Sequence, residues 1–164
     1  MDGGLVGRAR AGDADAFDEL ARSRIDQVYR TALAILGSPA DARDATQETL
    51  VSMWRGLASL RSEAAFDGWL HQITVNACKM SLRRRRGVRE VELTERPADL
   101  QAPSDSTFNQ AFDRLNVDQR AILIAHHLDG LSVAELAVQL RIPEGTVKSR
   151  LFNARAALDR ALKS

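Results

Sequence analysis

The 164-residue sequence predicts an all-α fold of two small helical domains joined by a flexible acidic linker. Three observations carry that expectation. Apolar residues recur at spacings of three and four on both sides of a central gap, and no run alternates apolar and polar residues as a half-buried strand does. The gap itself, residues 87–107, holds two prolines, no aromatic residue, and five acidic against two basic side chains. A structureless loop of that length is unusual inside one compact domain, so the expected divisions are 1–86, 87–107 and 108–164. Fully extended, the gap spans up to roughly 70 Å.

Asp13 is placed to cap a long helix whose Phe17, Leu20, Ile25, Val28, Ala32 and Ile35 share one side, with Gly37 just past its end. Ser38-Pro39 opens the next helix, because proline is tolerated in a first turn. Its apolar stripe is Ala42, Ala45, Leu50, Met53, Trp54 and Leu57, while Asp41, Asp44 and Glu48 share another face. Residues 60–65 read as a loop. Phe66, Trp69, Leu70, Ile73, Ala77 and Met80 then mark a helix that runs into Arg83-Arg84-Arg85-Arg86. Phe17, Trp54, Phe66 and Trp69 each sit in an apolar stripe and read as core.

Beyond the gap, Phe108, Phe112 and Leu115 mark a short helix. Asp118 reads as the cap of another that runs to Leu128 and is closed by Gly130. Ser132 and Glu135 fit a capping box, in which each side chain satisfies the other's backbone amide. Val133, Leu136 and Leu140 form the buried side of that helix, and Arg141-Ile142-Pro143 ends it. The last helix starts near Glu144 and carries Val147, Leu151, Ala154, Leu158 and Leu162 on one face.

Composition excludes several classes. At 45% apolar and 27% charged the chain is ordinary for a globular protein. No apolar stretch approaches the ~20 residues of a membrane span, and the N-terminus lacks a secretory pattern, so a cytoplasmic protein without membrane insertion is expected. The net charge of +1 is spread as +2, −3 and +2 over the three segments, which disfavours non-specific coating of nucleic acid and leaves room for local basic patches. A lone cysteine, Cys78, excludes an internal disulfide framework. His126 and His127 are adjacent and point to different sides of a helix, His71 is distant, and neither a metal-ligand spacing nor a phosphate loop nor a nucleophile elbow occurs. The expectation is a non-enzyme with no cofactor and no metal.

Leu131 to Leu158 has the spacing of a helix-turn-helix, whose second helix enters the DNA major groove. Opposite its buried stripe lie Thr146, Lys148, Ser149, Arg150, Asn153 and Arg155, with Glu144 the only acid before Asp159. These are donors and acceptors suited to phosphates and base edges; the bland alternative is a helical hairpin with a solvated face. The four arginines 83–86 fit either a phosphate contact or a solvated helix end. The stripe of Asp41, Asp44 and Glu48, with Gln47, fits either a protein-binding face or ordinary surface.

Taken in order, two segments resemble the extracytoplasmic-function (ECF, group IV) sigma factors of the sigma-70 family. Asp41-Ala42-Arg43-Asp44-Ala45-Thr46-Gln47-Glu48-Thr49-Leu50, followed by Phe66-Asp67-Gly68-Trp69-Leu70-His71-Gln72-Ile73-Thr74-Val75-Asn76 and the arginines, resembles region 2. Leu131-Ser132-Val133-Ala134-Glu135-Leu136-Ala137 through Ile142-Pro143-Glu144-Gly145-Thr146-Val147-Lys148-Ser149-Arg150-Leu151, with Ala154-Arg155, resembles region 4. The resemblance implies a factor that binds core RNA polymerase, directs it to promoters and assists melting, in a stress or envelope response.

It implies that Asp41, Asp44, Gln47 and Glu48 contact the polymerase β′ clamp. Asn76, Lys79, Arg83, Arg84, Arg85 and Arg86 are implied at the −10 element, where a flipped base is held. Glu144, Thr146, Lys148, Ser149, Arg150, Asn153 and Arg155 are implied at the −35 element, with the same region against the β flap. It also implies an anti-sigma factor as partner. The sequence departs from the family pattern at Met80-Ser81, at Arg141 where glycine is usual, and at Phe152-Asn153 where a His-Arg pair is common. A stand-alone helix-turn-helix regulator is the alternative reading.

Overall fold

The computed structural model describes residues 3–91 and 107–164, and every regular element in them is helical. α1 (Gly3–Arg10) was not legible from apolar spacing, because only Val6 and Ala9 of its short length are buried. It is tied down by Arg10, whose guanidinium donates to the Leu60 carbonyl at 2.5 Å. α2 (Ala14–Leu36) begins as expected, with Asp13 accepting the Ala16 amide at 3.1 Å, and ends at Gly37 with φ +73°. α3 (Pro39–Gly56) starts with Ser38 accepting the Asp41 amide at 3.3 Å. Two 3-10 turns, Leu57–Ser59 and Glu63–Ala65, occupy the stretch read as loop and its approach.

α4 (Phe66–Val91) continues past the four arginines into the stretch read as linker; residues 92–106 of that stretch lie outside the described residues, and its last residue, Thr107, already belongs to the next helix. Val6, Leu20, Val28, Met53, Leu57, Phe66 and Leu70 from α1 to α4 close one apolar cluster. Each such side chain contributes roughly 1.5–3 kcal/mol when fully buried. The buried hydroxyls of Thr46, Thr49 and Thr74 donate back to Ala42, Ala45 and Leu70 carbonyls at 2.7 Å, so the core holds them without an unmade hydrogen bond.

Three residues of the stripes expected within 1–86 are not core, and beyond the gap Phe108 is exposed as well. Trp54 is 61% exposed and meets Phe17 edge-on with ring centroids 4.8 Å apart. Met80 and Ile25 also face solvent. A helical stripe read at three-and-four spacing is wider than the face its neighbours cover, and these residues sit at its margin.

After the undescribed residues come α5 (Thr107–Asp113), α6 (Val117–His127), α7 (Val133–Leu140) and α8 (Glu144–Lys163). The cap of α6 is Asn116, not Asp118: Asn116 is extended and accepts the Gln119 amide at 2.8 Å, while Gln119 returns to the Asn116 amide at 3.1 Å. Asp118 already lies inside the first turn. The Ser132–Glu135 capping box forms as expected, at 3.0 and 3.2 Å. Val147, Leu151 and Ala154 bury the inner face of α8, whereas Leu162 at its end is exposed.

A second apolar cluster does not respect the gap in sequence. Ile35, Leu36, Ala42, Val75 and Cys78 join Phe112, Leu115, Ile122, Leu136, Val147 and Leu151. α6 lies against α2 and α4, and the helix-turn-helix follows it into contact with α4.

Candidate nucleic-acid and protein interfaces

The acidic face of α3 lines one wall of an open groove of about 850 Å³ whose opposite wall is α4. Asp41, Asp44, Gln47 and Glu48 occur there with Val51, Arg55, Ser81, Arg84 and Arg85. Arg84 bonds Glu48 at 2.6 Å and Arg85 pairs with Asp41. Two of the arginines expected to face phosphate are thus held by two of the acids expected to face protein. Val51 and Trp54 are exposed on the same helix, a half-apolar edge that the acidic pattern alone does not announce.

On α4 the remaining candidates are divided. Asn76 is exposed, and its side-chain oxygen accepts from Gln72 at 3.2 Å. Lys79 reaches across to Asp118 of α6 at 2.8 Å. Arg83 is exposed, and the Arg86 side chain lies outside the described ones.

The helix-turn-helix places its polar set as the wheel requires. Glu144, Lys148, Ser149, Arg150, Asn153 and Arg155 are exposed and Thr146 is half-buried on α8. Phe152 is 70% exposed on the same outward side, so an apolar group accompanies the donors. The turn is closed by Arg141 in the left-handed region, φ +58° and ψ +44°. Arg155 donates from Nη2 to His127 Nε2 at 3.1 Å. His127 is held below the usual histidine value by partial desolvation, with the positive Arg155 and neighbouring His126 adding to it. The neutral ring is the form able to accept that bond. Rings of His126 and His127 meet edge-on at 4.9 Å, although the sequence reading had them pointing apart.

Sequence reasoning also missed Arg120, Thr31 and Asp129. Arg120 is buried on α6 and donates to the Ile35 carbonyl at 2.6 Å, in the last turn of α2. Burial pushes its guanidinium down, and Asp113 opposes the shift. A lone arginine preceding Ala121-Ile122-Leu123-Ile124-Ala125 was the available signal. Among the described residues no group of three or more potential ligands is placed to hold a metal, and no helix is long and apolar enough to cross a membrane.

Residues 20–88 match the sigma-70 region 2 family model and residues 107–158 match the sigma-70 region 4 model. Over 98% of its length the chain is 40% identical to the ECF RNA polymerase sigma factor SigM of Mycobacterium tuberculosis, covering 84% of that protein. The chain belongs to the ECF sigma factors. It is also 31% identical to the RNA polymerase sigma-H factor of Pseudomonas aeruginosa, with 99% of this chain and 94% of that one covered.

Among solved structures, this sigma factor resembles CnrH in complex with the cytosolic domain of CnrY (TM-score 0.74, 26% identity, 99% and 97% of the two chains). It also resembles the sigma factor RpoE in complex with the anti-sigma factor NepR from Bartonella quintana (TM-score 0.70, 25% identity, 90% and 96%). Every candidate residue named above lies within one of the two family matches.

Proposed function

We propose that this sigma factor works in the cytoplasm, where it binds core RNA polymerase, carries it to its promoters in a stress response and helps open them. The chemistry of RNA synthesis stays with the polymerase. Asp41, Asp44, Gln47 and Glu48 serve as the face for the β′ clamp; Asn76, Lys79 and Arg83 to Arg86 serve the −10 element. Glu144, Thr146, Lys148, Ser149, Arg150, Asn153 and Arg155 serve the −35 element. Region 2 is assigned to 1–86 and region 4 to 108–164, with 87–107 between them.

The observation that carries this reading is the ordered pair of modules: an exposed donor-rich recognition helix follows a helical unit that has an acid-lined groove beside an arginine-tipped helix. A helix-turn-helix suffices for duplex DNA. Capturing an unpaired strand costs a few kcal/mol of unstacking, which a pocket for the extruded base offsets. Structures of related sigma factors with their anti-sigma partners support a regulator of that kind here. Purified protein mixed with core polymerase should yield run-off transcripts from fragments of the native genome. A protein that never joins core enzyme, and instead protects a symmetric duplex by itself, would establish the stand-alone regulator.

A further inference from the structure

We infer that Thr31, His71 and Asp129 form a self-clasp that holds region 4 folded onto region 2 and sets −10 and −35 candidates around one shared cavity. The inference rests on the functional reading above for what those residues read. Asp129 follows α6 in the turn before α7, Thr31 lies on α2 and His71 on α4. Thr31 Oγ1 donates to the Asp129 carboxylate at 2.9 Å, and His71 Nδ1 meets its other oxygen at 2.9 Å. The His71 and Asp129 side chains are only 8% and 5% exposed. Two helices and a turn, distant in sequence, therefore meet on one buried carboxylate.

A buried carboxylate persists only where its partners surround it. The seam around these groups is otherwise apolar, with Ile35, Val75 and Cys78 meeting Phe112 and Ile122. The buried polar constellation adds directional bonds to it and so fixes one docking register. The other end of α6 is pinned by Arg120 on the Ile35 carbonyl, and its first turn by Asp118 on Lys79. The docking thus consumes Lys79, a −10 candidate. Arg150 and Asn153, both −35 candidates, line a cavity of about 490 Å³ with Gln72 and Lys79 of α4. That space fits a small molecule; a duplex, whose major groove alone is about 12 Å wide, does not enter it.

The test uses the full chain carrying a fluorophore pair at Asp26→Cys and Arg160→Cys, both exposed and away from the clasp. Thr31→Val and, separately, Asp129→Ala should shift the distance distribution toward lower transfer efficiency. The same variants should bind a random 30-base-pair duplex at low salt several-fold more tightly than the parent. Loss of fold alone would weaken that binding, so a gain separates opening from damage. Thr31→Cys with Asp129→Cys, joined by a short cleavable thiol crosslinker, should lose duplex binding and regain it on cleavage. It supplies the answer should the first variants not fold. Distance distributions and duplex affinities equal to the parent's, or a crosslinked chain that still binds, would overturn the clasp. Core-dependent run-off by the parent chain would in that case leave the sigma-factor reading standing.

Discussion

Arg84 of α4 holds Glu48 of α3 at 2.6 Å, so a residue assigned to DNA and a residue assigned to polymerase share one ion pair. Both side chains are half exposed, and such pairs contribute about 0–1 kcal/mol to stability. Replacing the acids of this face therefore costs the fold little, and a change in binding can be read apart from a change in stability. Asp44→Lys combined with Glu48→Lys should lower core-polymerase affinity at least about tenfold, while the urea midpoint changes little. Affinity measured by fluorescence anisotropy with labelled chain reads this directly; an unchanged value removes the groove from the docking surface.

Arg84 and its neighbour Arg85 should also report on DNA. Replacing both by alanine in the assembled holoenzyme is expected to lower promoter affinity and reduce the salt slope by nearly 2, at about 0.9 per lost phosphate contact. A slope identical to the parent's would return both to the ion pairs they make with Glu48 and Asp41.

Arg141 stands at φ +58° where the family pattern has glycine. A side chain in the left-handed region costs about 1–2 kcal/mol relative to a residue that adopts it freely. Nothing in the hydrogen bonding depends on its side chain, because the turn is closed by its backbone amide to Ala137 and Val138 carbonyls. Arg141→Gly should raise the stability of region 4 by about 1 kcal/mol, read from thermal unfolding of the full chain, with the α7–α8 angle preserved.

Much of this was legible in the sequence, and the misses share a cause. Asp13, Ser38, Ser132 and Gly37 announced helix ends because their chemistry is local: a side-chain oxygen or a missing Cβ acts within a few residues. Asp118 reads as a cap from residue type alone, and only the extended backbone and the amide bond at Asn116 place the cap two residues earlier. Trp54 was read as core because a stripe shows periodicity and not which neighbour covers it. The recognition-helix face followed from one helix alone, so its exposed set emerged apart from Thr146, which is half-buried, and Phe152, an exposed apolar residue that the polar pattern passes over. Arg120, Thr31 and Asp129 act between segments up to 98 residues apart, and no local pattern encodes such partners.

Cys78 lies fully buried, and burial pushes its thiol up to about 12 from 9.0, opposed by the nearby Arg120 charge. Below pH 9 the thiol is protonated in folded and unfolded chains alike, so it leaves stability independent of pH there. Above pH 9 the unfolded chain ionises first. Stability should therefore fall between pH 9 and about 12, by up to about 1.4 kcal/mol per pH unit. Cys78→Ala removes this component, and the difference between the two pH profiles of unfolding isolates it. Thiol-reactive dye should label the native parent chain only as fast as it opens.

The recognition helix makes the most discriminating prediction. Val147, Leu151 and Ala154 are buried, so the groove-facing ridge must come from the positions between them. Arg150 is the guanidinium in the middle of that set, and bidentate pairing with guanine is its strongest mode of base contact. Arg150→Ala should cost about 1–3 kcal/mol on the parent promoter and relax preference at a single position of the −35 element. Lys148→Ala should weaken every sequence alike and lower the salt slope by about 1, as a phosphate contact does. Asn153 presents an amide, which pairs two-fold with adenine, so Asn153→Arg should move the preferred base at its position from adenine to guanine. Selection of bound promoters from a randomised −35 library, performed with holoenzyme, checks all three. Uniform loss for Arg150→Ala and unchanged preference for Asn153→Arg would assign both side chains to the DNA backbone.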